Sequence, residues 1–93
     1  MELEIQHDAA ARRFWAVAGD RQARLDYVQV GERVLDLRRT FVPPEQRGRG
    51  IGRRIVEHAL DYAQAHGYQV IPSCGFVRSF IAEHPRYRTL VAT

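Results

Sequence analysis

The chain has 93 residues and 45% hydrophobic content, which is enough for one modest core and too little for two domains. We therefore expect one domain over residues 1–93, acting as a monomer or a weak homodimer. Fourteen arginines against eleven acidic residues give a formal net charge of +3, which indicates an anionic partner of some kind. The single Cys74 excludes an intramolecular disulfide, and no run resembles a signal peptide or a membrane span, so we expect a cytoplasmic protein.

The first half of the chain alternates apolar and polar residues, which is typical of half-buried strands. Gly19-Asp20 and Gly31-Glu32 supply turns between the later ones. Short connections of this kind predict an antiparallel meander. The predicted strands are Leu3–Ile5, 14–18, about 23–30, and 33–42.

The fourth predicted strand carries an arginine where the pattern calls for an apolar residue. Regular alternation puts Arg39 on the same face as Leu35, Leu37 and Phe41. That face points towards the core or a ligand, so the charge needs a partner. Asp36, a bound anion or a thiolate could serve.

The second half predicts one helix between two parallel strands. Ile51, Ile55, Ala59 and Ala63 recur every four residues, and Gly67 lies where a left-handed C-terminal cap belongs. A strand over 68–71 follows at once, so strand, helix and strand form a βαβ unit.

A shorter helix should follow the second parallel strand. Ser73 is the expected cap and Pro85 marks the end, while residues 87–93 predict a last turn and a short edge strand. The fold class is α+β: a meander, one βαβ unit with splayed parallel strands, and a short C-terminal helix. The buried side of that helix is predicted to carry Phe76, Val77, Phe80 and Ile81.

The segment between the fourth strand and the first helix has the chemistry of a phosphate site. Gly48, Gly50 and Gly52 leave backbone N–H groups open to an anion, and the helix start adds unpaired donors. Arg47 and Arg49 supply positive charge. The Walker pattern fails because Gly52 is followed by two arginines, and the dinucleotide pattern fails because the glycines read G-x-G-x-G.

The same segment resembles the acyl-CoA pyrophosphate motif of the GNAT superfamily of N-acetyltransferases: Gln or Arg, two residues, Gly, one residue, Gly or Ala. Residues 47–52 fit every position. Thr-Phe-Val-Pro-Pro-Glu at 40–45, Ile-Pro-Ser-Cys at 71–74 and His-Pro-Arg-Tyr at 84–87 occur in the matching order. Together they resemble the minimal Yjdj-type N-acetyltransferase domain over about residues 13–91.

The resemblance implies acetyl-CoA as cosubstrate, held between the two splayed parallel strands. Its pantetheine arm would pair with backbone near Phe41 and Val42, and its pyrophosphate would lie on the amides of residues 47–52. Arg53 and Arg54 could reach the 3′-phosphate of CoA or could form a solvated helix face. The predicted cofactor-binding residues are Phe41, Val42, Gln46, Arg47, Gly48, Arg49, Gly50, Ile51 and Gly52.

Arg39 and Cys74 are the candidate catalytic residues. The family usually has His where this chain has Arg39, and an arginine cannot act as a general base because its pKa exceeds about 12. Cys74 follows the second parallel strand, near the expected thioester. It could be a transient acyl acceptor, part of the amine pocket, or a small buried hydrophobe.

The leading hypothesis is an acetyl-CoA-dependent N-acetyltransferase acting on a small-molecule or peptide amine. A CoA-binding module with little or no transfer activity is the alternative, because Arg39 replaces His. A nucleic-acid-binding domain that uses the Arg-Gly-Arg-Gly loop ranks last, since the arginines are scattered along the chain. The four histidines have no metal-ligand spacing, so we predict no metal.

Overall fold

Five strands and two α-helices make up the part of the chain that the computed structural model describes, residues 3–92. Met1, Glu2 and Thr93, which belong to the predicted domain, lie outside the described residues. Two short 3-10 helices, Pro44–Gln46 and Pro85–Leu90, complete the fold. The main elements are β1 (Gln6–Asp8), β2 (Arg13–Ala18), β3 (Arg21–Val30), β4 (Val34–Phe41), α1 (Ile51–Ala65), β5 (Gln69–Pro72) and α2 (Gly75–Glu83).

The strands form one mixed sheet in the order β1-β2-β3-β4-β5. Pairs β1–β2, β2–β3 and β3–β4 are antiparallel, and β4 pairs with β5 in parallel across α1. The predicted α+β fold is confirmed, because a meander leads into a single βαβ unit.

The first strand lies three residues later than the alternation predicts. Leu3 and Ile5 pack against the core while half-buried, but the ladder with β2 begins only at Gln6. Their alternation therefore reflects contact with the core and not strand pairing.

Helix α1 covers one face of the sheet with its apolar stripe. Its buried Ile55 and Leu60 belong to the same core as Phe14 of β2 and Leu25 of β3, all with no exposed surface. The next residues along those strands point the other way, and Val17 on that opposite face is 58% exposed. The sheet thus has a covered face and an uncovered face.

A β-bulge in β4 breaks the predicted alternation. Tyr27 of β3 pairs with Leu37, whereas the preceding Asp26 pairs with Arg39, so Arg38 is an extra residue. The extra residue reverses which face each later residue of β4 points to. As a result, Thr40 lies opposite the buried Leu25. The prediction that Arg39 shares a face with Leu35 and Leu37 is therefore wrong.

Local chemistry explains the C-terminus of α1 and the N-terminus of α2. At the C-terminus of α1, Gly67 has φ 75°, the N–H of Tyr68 donates to Ala63 O, and that of Gly67 donates to Gln64 O, which is a Schellman motif. Helix α2 has Cys74 at its N-cap in place of the predicted Ser73. The Ser73 hydroxyl donates to Asp36 instead.

The predicted C-terminal turn is the 3-10 helix Pro85–Leu90. After it, Val91 makes a single parallel bridge to Val70 on β5, and Ala92 N–H donates to Val70 O. The fully buried Tyr87 ties this segment to α1, because its hydroxyl donates to Asp61.

Candidate functional site

Strands β4 and β5 separate at their carboxyl ends. Their ladder stops at the pair Leu37 and Pro72, and proline has no N–H to continue it. The N–H of Cys74 makes one more bond to Leu37 O, at 3.0 Å, as the chain turns into α2. Strand β4 runs on to Phe41, so its last residues have a backbone edge that β5 does not cover.

A cleft of about 420 Å³ opens beside this free edge. It brings together seven of the nine predicted cofactor-binding residues. It also contains Arg53, which the sequence indicated only as a possible contact of the 3′-phosphate, and Thr40 and Phe76, which the sequence did not indicate as cleft residues. Its lining is Thr40, Val42, Gln46, Arg47, Gly48, Gly50, Ile51, Gly52, Arg53 and Phe76.

The side chains of the two remaining predicted residues do not line the cleft. The Phe41 ring is on the uncovered face after the bulge, where the Arg24 guanidinium lies 4.9 Å from its centroid. Arg49 lines a second hollow of about 280 Å³, which shares Gly50 and Arg53 with the cleft.

The N-terminus of α1 opens into the cleft with its backbone donors unused by a cap. Gly50, the N-cap, has φ 77°, and Gly48 has φ 84°, a left-handed conformation that glycine adopts without strain. The first turn has no side-chain cap and no acidic residue. Helix geometry leaves the first N–H groups of α1 without intrahelical acceptors, so this end suits an anion.

Gly52 makes room for the cleft next to Phe76. A Cβ at Gly52 would lie 3.2 Å from the Phe76 ring and 3.4 Å from Val42 Cγ2. The Phe76 side chain is 44% exposed at the lip of the cleft, which corrects the prediction that it faces the core. Its helical spacing matched the buried stripe, and no local signal identified it as a cleft residue.

The arginines around the cleft already have protein partners. Arg47 Nε donates to Val42 O at 2.9 Å, which folds this side chain back over the end of β4. Arg53 pairs with Glu83 of α2 at 2.8 Å, and its guanidinium lies 5.5 Å from the Phe80 ring. The second hollow is lined by Arg49, Arg53 and Arg54 together with Gly50, Glu57, Phe80 and His84.

Cys74 lies at the inner end of the site beside Thr40. The two side chains are 3.6 Å apart, Sγ to Oγ1. Burial raises the pKa of the Cys74 thiol, but hydrogen bonds from the Thr40 hydroxyl and from the backbone at Val77 and Phe76 outweigh it and lower the pKa overall. The Cys74 thiol therefore ionises to the thiolate at lower pH than an ordinary cysteine does.

Arg39 does not join this group. It is exposed on the uncovered face, in register with Asp26. The expected partner Asp36 is instead paired with Arg38, at 2.8 Å, and accepts a hydrogen bond from Ser73. The bulge explains the position of Arg39, because it turns Arg39 to the uncovered face and Thr40 to the covered face beside Cys74.

The described residues offer no candidate metal-binding group and no candidate membrane-spanning helix. Within residues 3–92, no group of three or more His, Cys, Asp or Glu side chains could hold a metal ion. None of the described helices is both long enough and apolar enough to cross a membrane.

Comparison with solved structures supports the fold. A GCN5-like protein from Staphylococcus aureus, solved by NMR, superimposes with a TM-score of 0.75 at 21% sequence identity. The match covers 97% of this chain and 88% of that one.

Comparisons of the amino-acid sequence agree with this structural match. Protein NATD1 of Bos taurus is 33% identical over 86 residues, covering 89% of this chain and 75% of the relative. The Danio rerio NATD1 is 32% identical over 89 residues, covering 91% and 81%. A sequence profile described as GCN5-related N-acetyl-transferase matches residues 13–90. The chain therefore belongs to the GCN5-related N-acetyltransferase family.

Proposed function

We propose that this protein transfers an acetyl group from acetyl-CoA to a primary amine. The observation that carries the proposal is the convergence of two features on one cleft. The uncapped N-terminus of α1 provides donors for a pyrophosphate, and the free edge of β4 provides a partner for an amide-bearing arm. Cys74 and Thr40 lie where that arm would end.

The cofactor would be held mainly by backbone. The pyrophosphate would accept hydrogen bonds from the N–H groups around Gly50 and Gly52, with Arg47 close by. The amides of the pantetheine arm would pair with β4 near Val42, as an added strand does. The neighbouring hollow lined by Arg49 and Arg53 would take the 3′-phosphate of CoA.

Transfer requires a neutral amine close to the thioester carbonyl. As the amine attacks, a C–N bond forms and the C–S bond breaks, and the proton lost by the amine ends on the sulfur of the released CoA thiol. The enzyme contributes chiefly by holding both reactants in position. A backbone N–H near Val42 would donate to the developing oxyanion.

Cys74 has two possible parts in this reaction. In one, the Cys74 thiol loses its proton, the thiolate attacks the thioester, and CoA leaves and takes up a proton to become the free thiol. The amine then takes the acetyl group from the cysteine sulfur, and the proton that the amine loses restores the Cys74 thiol. In the other, the Thr40–Cys74 pair only shapes the pocket in which the amine attacks directly. The lowered pKa of Cys74 and its contact with Thr40 make the first route chemically reasonable.

Steady-state turnover tests the proposal. Acetyl-CoA is incubated with a panel of amines, and free thiol release is measured above the rate without amine. Release that depends on both protein and amine is the expected result. A Cys74→Ala protein that turns over at the wild-type rate would exclude the acetyl-cysteine route and leave direct attack.

A catalytically weak acetyl-CoA-binding module is the second candidate, and the outward position of Arg39 favours it. The residue that stands where the family usually has a histidine lies on the face away from Thr40 and Cys74. This candidate predicts that acetyl-CoA stabilises the protein against heat while no amine causes thiol release.

A further inference from the structure

The uncovered face of the sheet is rich in arginine where β4 leaves β5. The register across three strands places Asp26 of β3 between Arg13 of β2 and Arg39 of β4. Arg24 lies two residues before Asp26 on the same face. Three arginines therefore surround one carboxylate.

That carboxylate is already used by two of them. Asp26 Oδ2 accepts from Arg24 Nε at 3.1 Å, and Asp26 Oδ1 lies 3.4 Å from Arg13 Nε in an ion pair without hydrogen-bond alignment. Asp36, a second carboxylate of this face, is paired with Arg38 and Ser73. Asp8 of β1, a third, lies opposite Arg13 and accepts a hydrogen bond from the Ala11 N–H. Within residues 3–92, no ion pair involves Arg39, so this arginine is left without an acidic partner.

Arg39 lies on the uncovered face of the sheet, directly behind the proposed reaction centre on the covered face. It is the residue before Thr40, whose side chain points to the covered face and contacts Cys74. A ligand arm paired with β4 lies in the plane of the sheet. On the covered side the arm itself would fill the cleft between Gly52 and Phe76, so an amine would approach the end of that arm from the uncovered side.

We infer that the acceptor is a primary amine that also carries a carboxylate, and that Arg39 binds the carboxylate and positions the amine. This inference rests on the proposed transfer function. An arginine without an acidic partner forms bidentate hydrogen bonds with a carboxylate, and the surplus positive charge repels cationic amines such as polyamines. Arg39 is a positioning residue, because it would bind a part of the acceptor that does not react.

The test uses acceptors that differ only in charge. 4-Aminobutyrate and 4-aminobutanamide form a small-molecule pair; Ala-Glu-Glu-Ala amide and Ala-Gln-Gln-Ala amide, both with a free N-terminus, form a peptide pair. Thiol release is measured at saturating acetyl-CoA. We expect the acidic member of at least one pair to have a kcat/KM about tenfold higher or more, chiefly through KM. The pair that shows the difference tells whether the acceptor is small or peptidic.

Variants assign the effect to one side chain. Arg39→Gln should abolish the preference for the acidic member and leave the KM for acetyl-CoA unchanged, and Arg39→Lys should restore part of the preference. Arg88→Gln is the matched control, since Arg88 is an exposed arginine in the Pro85–Leu90 segment, and it should keep the full preference.

Three results would overturn the inference, and they are distinguishable. Equal kcat/KM for both members of both pairs rejects the acceptor class and leaves acetyl transfer in place. A preference that survives in Arg39→Gln rejects Arg39 as the residue that binds the carboxylate. If acetyl-CoA binds but none of the amines causes thiol release, the proposed transfer reaction is rejected, and the acceptor class is rejected with it.

Discussion

The contact between Cys74 and Thr40 controls the chemistry at the inner end of the cleft. Burial alone would raise the thiol pKa, and the hydroxyl 3.6 Å away reverses that effect together with backbone hydrogen bonds. We predict that Thr40→Val raises the pKa of Cys74, because valine keeps the shape of threonine and removes the donor to the thiolate. The rate of alkylation by iodoacetamide as a function of pH measures this. Its midpoint should lie below the ordinary cysteine value in the wild type and move to higher pH in the variant.

Thr89→Val provides the control for this measurement, because Thr89 is exposed and lies outside the cleft. It should leave the midpoint where it is. An unchanged midpoint in Thr40→Val would mean that the backbone donors at the start of α2 act on the thiolate without the hydroxyl.

The missing side chain of Gly52 matters more for ligand binding than for stability. In Gly52→Ala, the new Cβ lies 3.2 Å from the Phe76 ring, which is half-exposed and able to move. Alanine is better than glycine in a helix by about 1 kcal/mol. We expect the free energy of unfolding to change by no more than about 1 kcal/mol, while acetyl-CoA affinity falls by about tenfold as the cleft narrows.

Denaturant unfolding and calorimetric titration with acetyl-CoA separate these two effects. Gly75→Ala makes a comparable change at the start of α2, where a Cβ would meet only the flexible end of Arg78. Affinity that is equal in the two alanine variants would show that the space at Gly52 is not needed by the ligand.

At the scale of whole elements, the helix and the meander follow from local patterns that the sequence displays openly. Helix α1 has a glycine N-cap, a four-residue apolar repeat and a glycine just beyond its end, and each of these acts within a few residues. Gly19-Asp20 and Gly31 lie in the turns on either side of β3, and the positive φ values of the two glycines suit tight turns. Short-range chemistry of this kind makes the α+β class predictable.

The β-bulge at Arg38 was not predictable by the same reasoning. Alternation assigns faces only if every residue pairs, and one extra residue reverses the assignment for all that follow. Arg38 and Arg39 are chemically identical, so the sequence does not mark which is extra. The reversal brings Thr40 to the cleft and moves Arg39 away from it, which is why the sequence predicted the glycine segment beside the cleft but not which side chain of β4 faces it.

The edge strand β1 supports a prediction about pH. His7 of β1 stacks on Phe14 at 4.2 Å between ring centroids, and its Nε2 lies 2.6 Å from the Tyr27 hydroxyl. Burial, followed by the nearby His58, lowers the pKa of His7 below its ordinary value of 6.5, and Asp8 opposes this only in part. The unfolded chain therefore binds the proton more readily, so stability should fall as pH falls below about 6.5 towards the folded-state pKa.

His7→Phe tests this because phenylalanine keeps an aromatic ring on Phe14 and does not titrate. Thermal unfolding is followed at pH 7.5 and pH 5.0 for both proteins. The drop in Tm between the two pH values should be larger in the wild type. A variant that loses as much Tm as the wild type would assign the acid sensitivity to carboxylates elsewhere.

At the scale of the whole molecule, the small size of the domain makes ligand binding easy to detect. A ligand at 100 times its Kd stabilises the folded state by about 2.7 kcal/mol. One kcal/mol shifts the Tm of a domain of 60–100 residues by about 4–8 °C. Acetyl-CoA at that concentration should therefore raise the Tm of this protein by roughly 10 to 20 °C.

Related ligands show which part of the site provides that stabilisation. If the hollow lined by Arg49 and Arg53 takes the 3′-phosphate, dephospho-CoA should stabilise less than CoA at equal concentration, and Arg49→Gln should reduce the difference between them. Pyrophosphate alone should stabilise least, because it cannot pair with β4 near Val42. A single-stranded RNA is the final arm. If RNA or pyrophosphate stabilised the protein as strongly as CoA, and the effect disappeared with rising salt, the cleft would be a general polyanion site, not a cofactor site.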